Sequence, residues 1–436
     1  MSNFEIGIAG IAVALVLIAL RVPIGVALGS VSLVGLGIMT SPRVAWGMIS
    51  ATPFDFVGQW ELTAAPMFLL MGYIATETNL TGGLFNALRL FLARLPGGLA
   101  VSSVGACALF AAASGSSVAT AAALSRIAVP EMLKRGYDKG LATGTIAASG
   151  TLGSLIPPSV LLVLYGVYAQ VSVGQLFMAG FLPGIVSALI YAAMIMVRVK
   201  VTPSLAGTVE IRPTWSEKLA ALRDIWPLPV LIVSVLGGIF LGVFSPTEAG
   251  AIGAAVAALI AATRGALTWT AVRDALVKTA VSTTSIFIIL IGSVFFTRFL
   301  ALSHVPAEFS NLILGVSTDP FWIIFAVAVI YIVLGMFIDS IGLLLLTLPL
   351  ILPLVAGAGL DLVWFGIIVI KLLEIGLVTP PVGLNVYVIK GSLGNLVTLQ
   401  DVFRGVAWFV AMDILTLVLI VLVPGLSLAL PALMMR

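Results

Sequence analysis

The sequence contains one cysteine, Cys107, and one histidine, His304. A lone cysteine excludes an intramolecular disulfide and a thiolate metal cluster, and a lone histidine excludes a multi-histidine metal centre. Charge is scarce too: 9% of residues are charged, against about 25% in an ordinary soluble domain. The small cationic excess, +3 with a pI near 9.1, gives no nucleic-acid signal, because the cations stand in the gaps between apolar runs. There is no Walker A sequence and hence nothing that suggests ATP hydrolysis. The opening residues MSNFEIGIAG lack a basic n-region and no small-residue cleavage site follows, so the first apolar run is expected to remain as a membrane helix.

What the chain has in abundance is apolar length: 61% hydrophobic residues and a mean hydropathy of +1.23. The runs are continuous and helix-long rather than short and alternating, which excludes an outer-membrane barrel and predicts an all-α polytopic membrane protein in the lipid bilayer. Helices are expected near 5–20, 23–40, 62–80, 178–197, 226–243, 247–263, 280–300 and 405–428. Two longer runs, 96–133 and 320–356, read as hairpins. The first has a polar centre, Ala113–Ser114–Gly115–Ser116–Ser117–Val118–Ala119–Thr120, which is costly against lipid but suits a re-entrant tip buried in protein.

Two further runs, 140–170 and 361–392, are broken helices. Each carries glycine and a double proline, at Gly153–Ser154–Leu155–Ile156–Pro157–Pro158 and Gly376–Leu377–Val378–Thr379–Pro380–Pro381. Proline removes a backbone donor and clashes with the preceding turn, so each pair should interrupt its helix and free carbonyls and amides. The pairs are 223 residues apart, and Pro23 and Pro246 repeat that offset. Paired interruptions at corresponding places in two halves point to a transporter's binding site. The predicted organisation is a first repeat over 1–200, a linker with an interfacial arm over 201–225, and a second repeat over 226–436.

Cation bias gives the halves opposite orientation. Arg89, Arg94, Lys134, Arg135 and Lys139 flank the first hairpin, and Arg198, Lys200, Arg212, Lys218 and Arg223 crowd the linker; both regions should be cytoplasmic. No cation stands at Thr318–Asp319 or Gly357–Asp361, so the second hairpin should open to the other side, with Arg264, Arg273, Lys278, Lys390 and Arg404 marking cytoplasmic turns. Both termini are then periplasmic, and Arg43 is an exception to the rule. Thr214 to Ile225 reads as the amphipathic arm, with Trp215 and Trp226 as interfacial anchors.

The segments Ala113–Ser114–Gly115–Ser116–Ser117, Lys134–Arg135–Gly136–Tyr137–Asp138, Gly153–Ser154–Leu155–Ile156–Pro157–Pro158–Ser159, Phe244–Ser245–Pro246–Thr247–Glu248–Ala249 and Thr379–Pro380–Pro381–Val382–Gly383 resemble, in this order, the large membrane subunit of tripartite ATP-independent periplasmic (TRAP) transporters. The resemblance implies an elevator-type importer of the bacterial or archaeal inner membrane, coupled to Na+. It would receive an organic acid, such as a C4-dicarboxylate, keto acid or sialic acid, from a periplasmic substrate-binding protein. It also implies a small membrane subunit, expected here as a separate chain.

Sodium prefers several oxygen ligands, which a broken helix and a hairpin tip can supply. The expected ligands in the first half are Ser114, Ser117 and the carbonyls of Gly153, Ile156 and Pro158. The repeat offset transfers these to Gly376, Thr379 and Pro381, faced by Gly335, Phe337, Asp339 and Ser340. Substrate contacts are expected at Ser116, Arg298 and Asp339. Each has a plainer alternative: small-residue packing for the serines, a simple kink for the prolines, a helix cap for Asp339 and snorkelling for Arg298. Lys371 and Glu374, at i and i+3, can pair with each other. Glu248 suits a helix start, and His304 alone argues for no catalysis. Rival readings are a stand-alone sodium/dicarboxylate symporter, an intramembrane enzyme, for which the isolated titratable groups offer no constellation, and a membrane scaffold, for which duplicated ion chemistry has no use.

Overall fold

A computed structural model of the chain describes residues 2–207, 213–316 and 319–434. Arg212 and Thr318, both used above to argue sidedness, lie outside the described residues. Among these residues there is no strand, and six helices are long and apolar enough to cross a membrane.

The first half runs α1 (Asn3–Ala19), α2 (Ile24–Met39), α3 (Pro42–Val57), α4 (Ala64–Glu77), α5 (Leu84–Leu92), α6 (Gly98–Ser114), α7 (Ser117–Lys134), α8 (Lys139–Thr151), α9 (Val160–Ala169) and α10 (Val173–Val201). After the arm α11 (Trp215–Ile225) comes α12 (Pro227–Ile232), joined through a π-helical turn, Val233–Gly237, to the short α13 (Gly238–Phe240). Then follow α14 (Pro246–Thr263), α15 (Trp269–Ser303), α16 (Val305–Val316), α17 (Pro320–Gly335), α18 (Ser340–Gly357), α19 (Leu362–Val378), α20 (Leu384–Leu393), α21 (Leu399–Leu422) and α22 (Gly425–Met434).

Polar caps decide where apolar helices start, because the first amides have no intrahelical acceptor and lipid offers none. Asp138, Ser159, Ser172, Ser245, Thr268, Asp361 and Thr398 each accept a backbone amide at the head of a helix. Caps also explain where the structure departs from a reading based on apolar runs. The stretch after 40, in which no apolar run predicts a helix, forms α3, begun by Ser41 as cap with Pro42 at the first position. The helix expected at 280–300 starts at Trp269 and runs 35 residues, carrying Arg273, Asp274 and Lys278 within it. The last helix, expected over 405–428, is two: α21 ends before Pro424 and α22 follows. Short helices α5 and α16 were not expected either.

The halves interlock rather than sit side by side: α2 packs on α15, α4 on α14, α8 on α21 and α7 on α20. Several crossings are backbone to backbone, the small-residue packing that membranes favour. A Cβ on Gly405 of α21 would lie 1.9 Å from the Gly140 carbonyl oxygen of α8, and one on Gly292 would lie 2.2 Å from that of Gly25. Gly405→Ala is therefore expected to cost about 1–3 kcal/mol by overpacking, read as a lower thermal-unfolding midpoint in detergent. An unchanged midpoint would mean that this crossing can open freely.

Candidate ion and substrate site

The first interruption follows from its local sequence. Helix α8 ends at Thr151, a 3₁₀ turn covers Leu152–Ser154, and α9 restarts at Val160 under Ser159, whose hydroxyl also donates to the Ser154 carbonyl at 2.6 Å. The Pro157–Pro158 bond is cis. Facing this break, α6 and α7 fold back on each other through Gly115–Ser116. Gly115 has φ +61°, and a Cβ there would meet the Pro158 carbonyl oxygen at 2.9 Å, so two reasons require glycine. Across the gap Gly153 lies against the backbone of Ser116 and Ser117, with its virtual Cβ 3.2–3.3 Å away.

This close approach gathers oxygens. The Ser117 hydroxyl is 2.6 Å from that of Ser154 and 3.3 Å from the Thr151 carbonyl oxygen. Ser114 Oγ is 3.0 Å from Thr120 Oγ1, and Ser116 Oγ accepts the Ala119 amide as the cap of α7.

The second interruption has the same parts. Helix α19 ends at Val378, Pro380–Pro381 is cis, and α20 restarts after Gly383 with φ +59°. Here a glycine meets a glycine: a Cβ on Gly376 would sit 2.8 Å from Gly335 Cα, at the end of α17. Thr379 Oγ1 donates to the Ile375 carbonyl at 2.6 Å, and Asp339 caps α18, its Oδ2 accepting the Gly342 amide at 3.0 Å. Ser340 Oγ is buried and, among the described residues, has no hydrogen-bond partner.

A cavity of about 330 Å³ joins the two halves. Ser116, Ser117 and Ser154 line it from the first, Asp339 and Ser340 from the second, and Tyr73, Ser282 and Ser285 from α4 and α15. Tyr73 and Ser282 are tied by a hydroxyl pair at 2.7 Å. Among the described residues the lining is thus rich in hydroxyls and holds one carboxylate and no cation.

A model of the tripartite ATP-independent periplasmic transporter DctM component matches residues 11–426. The chain belongs to this family. Among relatives of the TRAP permease, the C4-dicarboxylate TRAP transporter large permease protein DctM of Pseudomonas aeruginosa is 33% identical over 382 residues, covering 87% of this chain and 88% of that one. The isethionate TRAP transporter permease protein DctMQ of Oleidesulfovibrio alaskensis is 33% identical over 371 residues, 85% of this chain and 58% of its own. The YdaH transporter of Alcanivorax borkumensis superposes with a TM-score of 0.65 over 89% of this chain and 90% of that one; at 13% identity the likeness speaks to fold alone.

The TRAP permease brings Ser116, Ser117, Asp339 and Ser340 to the cavity itself, and sets Gly153, Gly335 and Gly376 in the tight contacts behind it. Ser114 lines a neighbouring cavity. Ile156 and Pro158 lie within the first break and Thr379 and Pro381 within the second, none of them in the cavity lining. Phe337 is 63% exposed and lies outside that lining as well. Arg298 is held elsewhere: its guanidinium donates to Thr52 Oγ1 at 2.7 Å where α15 crosses α3, and it does not line the cavity.

Four hydroxyl-bearing residues of the lining escaped the sequence reading. Ser154 lay inside a motif already singled out, and its hydroxyl was passed over in favour of carbonyls. Tyr73, Ser282 and Ser285 sit on α4 and α15, where isolated hydroxyls in apolar helices give no local signal of facing a site.

Proposed function

We propose that this TRAP permease imports an organic anion, a carboxylate or sulfonate, driven by Na+. The observation that carries the reading is one cavity lined by both hairpin tips, by Ser154 of the first break and by Leu377 and Leu384 on either side of the second. The residues fit a hard monovalent cation: Ser117, Ser154 and the Thr151 carbonyl offer clustered neutral oxygens, and Ser340 Oγ is a buried group still lacking a partner. Ser114, Ser117, Gly153, Ile156 and Pro158 would hold one ion. Gly335, Phe337, Asp339, Ser340, Gly376, Thr379 and Pro381 would hold a second. Bound Na+ would supply positive charge beside a lining that has none, while Ser116 and the surrounding hydroxyls donate to the anion and Asp339 contributes to its site through the Na+ it holds. Ion and substrate binding are then linked, each raising the affinity of the other.

The cation bias supports an inner-membrane orientation with both termini periplasmic, the first hairpin re-entering from the cytoplasm and the second from the periplasm. The tips and breaks would move together as an elevator against a scaffold that includes α4 and α15. A small membrane subunit and a periplasmic binding protein are the expected partners, as in the tripartite family.

The test is uptake of labelled succinate, isethionate, pyruvate and sialic acid into proteoliposomes holding this chain and its small subunit, with binding protein outside. Uptake of one of them should require the binding protein and an inward Na+ gradient. Ser117→Ala should raise the Na+ concentration for half-maximal uptake about tenfold, the worth of one hydrogen-bonding group to an ion. Uptake by this chain alone would sink the tripartite reading, and indifference to Na+ would sink the coupling.

A further inference from the structure

Arg126 is the one arginine within the first hairpin's interior, on α7 beyond Ala119, Ala122 and Ala123. It is exposed, and among the described residues it makes no hydrogen bond or ion pair. A charge at that depth is costly against lipid and is tolerated where it faces water or a ligand. The structure supplies the water-facing space: a second cavity of about 400 Å³ is lined by Arg126, Lys278 and Glu77 and shares Leu69, Tyr73 and Ser116 with the central one. Of its two cations, Lys278 is already neutralised by Glu77 at 2.5 Å. Arg126 is left with its five donors unused.

We propose that this second cavity is the cytoplasmic limb of the transport path and that Arg126 binds the anionic group of the substrate there. The limb leads from the tip serine Ser116 toward the ends of α4 and α7 that the cation bias assigns to the cytoplasm. A carboxylate or sulfonate leaving the cation-free central cavity passes directly into reach of a planar guanidinium that can bind two of its oxygens at once. Lys278 differs in that its ammonium is already shared with Glu77, whereas, among the described residues, the Arg126 guanidinium is not engaged. The inference rests on the reading of the cargo as an organic anion and of the first hairpin as cytoplasmic.

The test measures binding without transport. Cys107 is fully buried, so a cysteine introduced by Ala123→Cys, one helical turn from Arg126 in the same cavity, is the reactive thiol of this chain, and labelling is read on this chain alone after separating the subunits. Its labelling by uncharged N-ethylmaleimide is followed in the purified complex with the small subunit, with succinate, isethionate or pyruvate added. At least one of these anions should protect the thiol. Adding Arg126→Gln should raise the half-protecting concentration about tenfold or more, and Arg126→Lys should recover part of that loss. Equal protection with Arg126 and with Arg126→Gln, or protection by none of the three, overturns the proposal. A phospholipid phosphate as the true ligand would appear as thiol protection by added phosphatidylglycerol with none from the soluble anions, which also overturns it. The outcome needs neither Na+ gradient nor binding protein, so it stands apart from success or failure of the uptake experiment.

Discussion

Lys371→Met is expected to be the most destabilising single substitution in the chain, costing about 3–5 kcal/mol. The ammonium of Lys371 is fully buried and bonds Glu374 Oε2 at 3.0 Å, Asp413 Oδ1 at 2.5 Å and Ser187 Oγ at 3.3 Å, with Tyr191 donating to the same Asp413 oxygen. Two carboxylates therefore depend on one cation, and neither can reach water. Removing that cation leaves both charges unpaired in a medium where an unpaired ion costs several kcal/mol. The check is thermal unfolding of purified protein: Lys371→Met should melt far below wild type or fail to accumulate. The triple variant Lys371→Met, Glu374→Gln, Asp413→Asn should regain most of the loss, because it removes the charges along with the pair. A single variant as stable as wild type would mean that the carboxylates are already neutral. The cluster matters to function by position. It ties α19 to α10 and α21 about one to two turns before Gly376 and Thr379, so the second helix break hangs from this anchor.

That anchor also marks the limit of what the sequence disclosed. The Lys371–Glu374 pair was legible because i, i+3 neighbours meet on any helix. Asp413 and Tyr191 were not, since they come from other helices and only packing brings them together. The breaks and the first hairpin tip were legible for a similar reason: Pro-Pro, Gly115 and the serine run act on the backbone locally, wherever the chain lies. Helices such as α3, and the full length of α15, were hidden because apolar runs report what faces lipid, whereas the ends are decided by caps such as Ser41 and Thr268. Arg298 illustrates the converse. Its place in an apolar run suggested a substrate contact, but the direction of a side chain around its helix is set by tertiary packing, and α3 supplies its partner, Thr52. Arg126 stood in an alanine-rich run with no periodic signal, and only the cavity beside it gives it a role.

The second large effect concerns the contact between Gly376 and Gly335. On the proposed Na+ coupling, Gly376→Val is expected to abolish uptake, to below about 1% of wild type, because the added side chain must displace the end of α17 from the break it faces. The virtual Cβ already lies 2.8 Å from Gly335 Cα, 3.0 Å from its carbonyl carbon and 3.1 Å from its oxygen, and none of these is the movable end of a flexible side chain. In the first half Gly153 is less tight, at 3.2–3.3 Å from Ser116 and Ser117, so Gly153→Ala should weaken Na+ activation without abolishing it. Gly391→Ala is the control, since a Cβ there meets nothing within 4 Å. A readout independent of transport comes from ion-linked stability: wild type should unfold at a higher temperature in Na+ than in K+, and Gly376→Val should lose part of that difference. If Gly376→Val kept both its uptake and its Na+ stabilisation, the second break would not be an ion site, and the proposed Na+ binding would be confined to Ser114, Ser117 and the first break.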